Sequence, residues 1–290
     1  MAKNIIKDKF IKKIHQGIKG NPDIEALDPE RGDGNWYYLS PDSSYAKHLE
    51  DEAKTRRSGN STAYDALSRE FVSKTAAPSR ILAISSAARC SYEFFTRNEE
   101  NTLTVNVVSK GNVKKDVNID KGIEFERLLG IRDSKGNCNS GAFAHYSLRF
   151  TSSSYKEVYV DSECMEVFNP QKFAFEDTIN NEAYKDSTLR ECLDEIYEAI
   201  CFDDNGDFKK PYFPFVKFVK QIYGLDSFKD RGIPSLLLYA FFVPSDMGEF
   251  RAIFDAIEDD LRLASKIAEK YLHLNNKKID IGFIEVPVEF

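Results

Sequence analysis

The chain has 290 residues, of which 42% are hydrophobic, 13% aromatic and 30% charged, with 22 Phe, 14 Tyr, 15 Gly and 10 Pro. Such a chain buries enough apolar surface to offset its ordering entropy, which excludes collagen, low-complexity and globally disordered classes; the length admits one large α/β domain or two smaller ones. Lys and Arg number 40 against 47 Asp and Glu, a formal net charge of −7, which excludes coating of nucleic acid by bulk electrostatics and leaves local basic patches open.

At the N-terminus Ile6, Phe10, Ile14 and Ile18 recur at four-residue spacing among lysines, which predicts a short basic amphipathic helix. This stretch lacks the continuous apolar block of a secretory signal, and no run reaches bilayer length, so a cytoplasmic chain without membrane contact is expected. Turn signals at Asn21-Pro22, Asp28-Pro29, Gly32-Asp33-Gly34 and Ser40-Pro41-Asp42 precede a charged run from His48 to Arg57, which reads as an irregular, exposed lead-in with Trp36 as an aromatic anchor. Residues 1–60 are therefore expected to form an N-terminal arm, and 61–290 the domain proper.

Within the domain, Pro78-Ser79 and the spacing of Ile81, Ile84, Ala88 and Phe95 predict a helix from Ser79 to Arg97. Strands are expected at Thr102–Val108, Ile123–Ile131, Ala142–Phe150 and Glu157–Phe168, the last two joined by the turn Thr151–Ser154. Leu189, Leu193, Ile196 and Ile200 mark a helix with a capping box at Thr188 and Glu191; Phe215, Phe218, Val219 and Ile222 mark another, closed by Gly224 at a C′ position. Ser235–Val243 reads as a strand buried on both faces, followed by a long helix through Phe250, Phe254, Ile257, Leu261, Ile267 and Tyr271 and a last strand at Ile279–Val288. The order predicts an α/β or α+β sandwich. Cys90, Cys138, Cys164, Cys192 and Cys201 form no CxxC pair and are expected as reduced, mainly buried thiols. Asp203 to Asp207 evokes a calcium loop but lacks the closing Glu, so a turn is expected there.

Strand alternation places His145, Ser147 and Arg149 on one face, opposite Ala144, Tyr146, Leu148 and Phe150, and Asp161, Glu163 and Met165 together on the next strand. In a hairpin the polar faces lie side by side, gathering His145, Ser147, Asp161 and Glu163 with Glu124 or Glu126 near them. Clustered carboxylates hold hard divalent cations through oxygen, although a polar strand face is more often the solvated side of a hairpin. No GxxxxGKS, GxGxxG, HExxH or GxSxG occurs.

The run Ile84 to Phe95, then Glu124-Phe125-Glu126-Arg127-Leu128-Leu129-Gly130, Ala144-His145-Tyr146-Ser147, Asp161 to Glu166, Phe218 to Leu225 and Leu237 to Phe242 occur in an order that resembles a bacterial group of the PD-(D/E)XK nuclease superfamily. The resemblance spans about residues 80 to 290 and implies a restriction-endonuclease-like fold, a central mixed sheet flanked by helices. It also implies Mg²⁺ or Mn²⁺ coordination by an Asp on one strand and a Glu on the next, with a Lys two residues later orienting the attacking water. In this chain Glu163 stands in the Glu slot, but Ser147 fills the Asp slot and Met165 the Lys slot, so the family mechanism does not run as written.

Three rescues are open: Asp161 as second carboxylate and metal ligand, a lysine such as Lys156, Lys217 or Lys220 moved into the charge position, or His145 as ligand or base. The leading expectation is a nuclease-like protein with a degenerate metal site that binds nucleic acid without ordinary Mg²⁺-dependent cleavage. An active DNA or RNA nuclease built on Glu163, Asp161 and Glu126 is the second, and a protein-interaction module the third. Oligomeric state is left open, a homodimer included.

Overall fold

A computed structural model describes residues 9, 21–26, 37–58, 61–68, 80–82, 86–132, 138–164, 190–209, 211–228, 233–274 and 277–288. Apart from Lys9, the expected N-terminal amphipathic helix lies outside the described residues, as do Trp36, Thr188 and Met165.

The lead-in is more ordered than its turn signals suggest. Strands β1 (Ile24–Ala26) and β2 (Tyr37–Leu39) pair antiparallel, and helix α1 (Ser44–Thr55) follows, its first turn capped by the Ser43 hydroxyl, which accepts from the Ala46 N–H. The charged run from His48 therefore lies largely in a helix, with Ala46, Leu49 and Ala53 joining the core. Charges on an amphipathic helix outnumber the few small apolar residues it buries, and this hid the pattern from the sequence. After the short hairpin β3 (Arg57–Ser58) and β4 (Ser61–Thr62) come helix α2 (Ala63–Ser68) and a 3₁₀ turn at Arg80–Leu82. Helix α3 spans Ala87–Arg97, where the Ser86 hydroxyl accepts from the Ala88 N–H, so it starts later than Ser79. Tyr45 of α1 donates to Glu93 of α3, and Arg56 pairs with Glu99, tying the lead-in to α3.

The centre is a seven-stranded mixed sheet, order β6-β5-β11-β10-β9-β8-β7, flanked by helices. Its strands are β5 (Thr102–Val107), β6 (Val113–Asn118), β7 (Glu124–Arg132), β8 (Cys138–Phe150), β9 (Glu157–Glu163), β10 (Ser235–Pro244) and β11 (Ile279–Val288). β9, β10 and β11 run parallel; the remaining neighbours are antiparallel. Every residue of β10 is buried, as an inner parallel strand requires. α3 covers one face, where Phe94 meets Phe242, Phe95 meets Phe150 and Ser91 bonds Ser162.

Helices α4 (Arg190–Cys201), α5 (Phe215–Phe228) and α6 (Arg251–Leu274) belong to the other layer. There Phe218 meets Tyr239, Phe254 meets Phe241, and Glu195 of α4 bonds Lys270 and Tyr271 of α6. No helix among the described residues is long and apolar enough to cross a membrane. Cys90, Cys192 and Cys201 are free thiols and all three are buried, as is Cys164, and Asp203 closes a turn by accepting from the Asn205 and Asp207 N–H groups.

Candidate active site

β9 carries the acids. Its register against β10 sets Asp161 beside Tyr239 and Glu163 beside Phe241, on the face covered by α5 and α6. The side chains of Asp161 and Glu163 are 0% and 4% exposed, an unfavourable place for two negative charges without compensation. Compensation comes from Lys217 near the start of α5, whose Nζ lies 2.6 Å from Asp161 Oδ1 and 2.8 Å from Glu163 Oε1. Burial alone would lower the Lys217 pKa, but attraction to Asp161 and Glu163 outweighs it and holds the ammonium well above the usual lysine range. The Lys217 side chain remains 35% exposed, so the acids are closed in while the lysine reaches solvent. Asp161 Oδ2 is buried with no hydrogen-bond partner among the described residues.

α5 is held against the sheet by Gln221, one turn beyond Lys217 on the same helical face and fully buried. Its Nε2 donates to the His145 carbonyl at 2.9 Å, its Oε1 accepts from the Tyr239 hydroxyl at 2.5 Å, and its own carbonyl accepts from Tyr146 at 2.8 Å. Burial, first of all, pushes the Tyr239 hydroxyl far above its usual pKa, and the nearby Asp161 and Glu163 add to the effect, so it remains a donor. Gly224 does not end the helix as expected; α5 continues to Phe228. Its role is steric: a Cβ there would stand 2.4 Å from Ala144 Cβ and 3.0 Å from the Tyr146 hydroxyl, so only glycine lets α5 sit this close to β8.

β7 and β8 break the simple alternation. Phe125 packs on Tyr92 of α3, yet Leu129, four residues on, lies under Gly224 of α5; Phe150 packs on Phe95 of α3, yet Tyr146 bonds α5. Four residues along a regular strand return to the same face, so both strands reverse faces in between. The reversal coincides with Glu126 at φ +52°, a left-handed backbone rare for a residue with a side chain, and with a gap in the ladder opposite Ser147. The expected shared polar face of His145, Ser147 and Arg149 therefore does not form. Arg149 pairs with Glu124 and Glu157, at the end of β9 away from Glu163. Ser147 does reach the site's edge, where its hydroxyl accepts the Ser162 N–H at 3.0 Å and continues the β8–β9 contact past the last backbone pair, Leu148 and Val160.

His145 Nε2 and Glu126 Oε2 lie 2.5 Å apart and pair with each other. Among the described residues no three of His, Cys, Asp and Glu come together as a metal-holding group, so neither His145 nor Glu126 joins Asp161 and Glu163 as a third ligand. Of the three lysines that could fill the charge position, Lys217 closes on the acids, while Lys156 precedes β9 at its opposite end.

No protein-family model, no curated protein and no solved structure matches the chain. The site consists of two buried carboxylates that converge on the ammonium of one partly exposed lysine.

Proposed function

We propose that the chain is a metal-dependent phosphodiesterase of the nuclease type, in which Asp161 and Glu163 are the acids and Lys217 replaces the lysine that Met165 cannot provide. The observation that carries this reading is that one ammonium touches both carboxylates, at 2.6 and 2.8 Å, so neighbouring same-face positions of β9 do converge closely enough to share one cation. The mixed sheet with helices on both faces agrees with the restriction-endonuclease-like architecture that the resemblance implies.

The donor set fits Mg²⁺ or Mn²⁺: such ions are bound by one or two carboxylates and complete their shell with water and substrate phosphate. Asp161 and Glu163 would hold the ion, and Asp161 Oδ2 makes no hydrogen bond among the described residues that would compete for it. When bound, the ion supplies neutralisation of the phosphate and a more acidic water. Lys217, held protonated by the two acids, serves as a fixed positive charge toward the phosphate and not as a proton acceptor. Gln221 and Tyr239 position it through α5.

A binding-only reading draws on the same contact, since an ammonium paired to both acids already neutralises them. The two are separated by incubating the protein with plasmid, single-stranded DNA and RNA in Mg²⁺ and in Mn²⁺. Cleavage by the wild type that is lost in Asp161→Asn and Glu163→Gln is expected; binding without cleavage under every condition would favour the second reading.

A further inference from the structure

The far end of the parallel strands from Glu163 carries a recess of about 390 Å³ that the proposed chemistry does not use. It is formed where the chain enters β9, β10 and β11, at Tyr155, Pro234 and Ile279. Four lysines line it, Lys110, Lys115, Lys277 and Lys278, against the two carboxylates of Glu269 and Asp280, a formal excess of two positive charges in a chain whose net charge is −7.

Two of the lysines meet a buried post, Tyr155 with Asp280. The Tyr155 hydroxyl donates to Asp280 Oδ2 at 2.7 Å, and Lys110 pairs with the same oxygen at 2.7 Å. Lys115 rests its ammonium 4.0 Å above the Tyr155 ring, a neutral support that leaves the charge uncancelled. Lys277 donates to the Asp226 carbonyl at 2.8 Å at the end of α5, and Lys278 is exposed beside it. A concave site lined by lysines from β6, from the turn after β5 and from the entry to β11 suits an anion that presents several oxygens at once.

We propose that this recess is a phosphate-binding anchor, separate from the Asp161–Glu163–Lys217 site, that takes phosphate groups either of a nucleic-acid backbone or of a free polyphosphate. The inference does not rest on the cleavage reading. β9 spans Glu157 to Glu163, so the anchor stands on the order of 20 Å from the acids at about 3.3 Å per residue.

The test is anisotropy of a labelled single-stranded DNA oligonucleotide over a salt series, with unlabelled pyrophosphate as competitor, on wild type and the double variant Lys115→Ala/Lys278→Ala. Lys121→Ala, an exposed lysine elsewhere, is the control, and the exposed charge reversal Lys278→Glu keeps the test open should the double variant misfold. Cleavage of the same oligonucleotide in Mn²⁺, measured in parallel, reports on the acids separately, so that failure of the anchor and failure of the cleavage reading are distinguished. The expected result is weaker binding in both recess variants, with the slope of log K against log salt reduced in the double variant by about 1.4, about 0.7 for each lost phosphate contact on a single strand. Pyrophosphate binding, read directly by isothermal titration calorimetry, that is lost in the recess variants while DNA fails to bind would support the same anchor with a free polyphosphate as its ligand. Recess variants indistinguishable from wild type or from Lys121→Ala, or a wild type that binds neither probe at low salt, would overturn it.

Discussion

Lys217 decides how two acids survive inside the protein. Removing the ammonium leaves Asp161 and Glu163, both almost wholly enclosed, as uncompensated like charges. Lys217→Met should therefore lower stability by about 2–3 kcal/mol near neutral pH, toward the low end for breaking a buried pair because the lysine stays in contact with solvent. Urea unfolding measures this, and a change within about 0.5 kcal/mol would mean that water already screens the acids. Strand parity made Asp161 and Glu163 candidates, and the lysine slot that the resemblance leaves to Met165 made Lys217 one of three possible replacements. Sequence alone could not choose among Lys156, Lys217 and Lys220, because that choice depends on which turn of a helix meets which strand after a long connection. It placed His145 and Glu126 near the acids for a different reason: parity assumes an unbroken strand, and the left-handed backbone at Glu126 breaks it.

At the scale of elements, the approach of α5 to β8 aims the lysine. Gly224 makes that approach possible, and the Gln221 bonds to His145 and Tyr239 lock it. Gly224→Ala forces a Cβ to within 2.4 Å of Ala144 Cβ, so α5 must retreat; overpacking of this kind costs about 1–3 kcal/mol, more than the roughly 1 kcal/mol that alanine returns in helix propensity. A lower melting temperature is expected for Gly224→Ala, with recovery when Ala144→Gly is added; a variant as stable as wild type would show that the contact relaxes freely. The helices and strands of the domain were largely legible, β10 and β11 most clearly, because continuous apolar runs and 3.6-residue spacing survive any topology. Gly224 was misread as a stop because a glycine at a helix end and a glycine at a close crossing look alike until the neighbouring strand is in place.

For the molecule as a whole, the opposite edge of the parallel strands adds a titrating element. Glu258 on α6 is 8% exposed, and burial pushes its carboxyl up to about 7, with a hydrogen bond to Glu285 of β11 adding to it. A carboxyl raised from its usual 4.5 stabilises the fold fully below that value, and the contribution is lost as pH rises through about 7. The Glu285 carboxyl is shifted the other way: burial raises it, but bonds to Arg251 and Glu258 outweigh this and hold it below the usual range, so its loss falls at more acid pH. Melting temperature followed between about pH 5 and pH 8 should fall as this contribution is lost, and Glu258→Gln should flatten that fall; an unchanged slope in the variant would assign the pH dependence to other groups. Neither this pair nor the lysine recess was legible in the sequence, since each joins residues from strands and helices far apart along the chain.

The most direct measurement is the rate at which wild type and Lys217→Met cleave single-stranded DNA in Mn²⁺, with folding of both checked by circular dichroism. Cleavage by the wild type that falls about 100-fold or more in the folded variant is predicted, in keeping with loss of a preorganised charge at the phosphate. A folded wild type that cleaves no nucleic acid, or a Lys217→Met variant that cleaves at the wild-type rate, would contradict it.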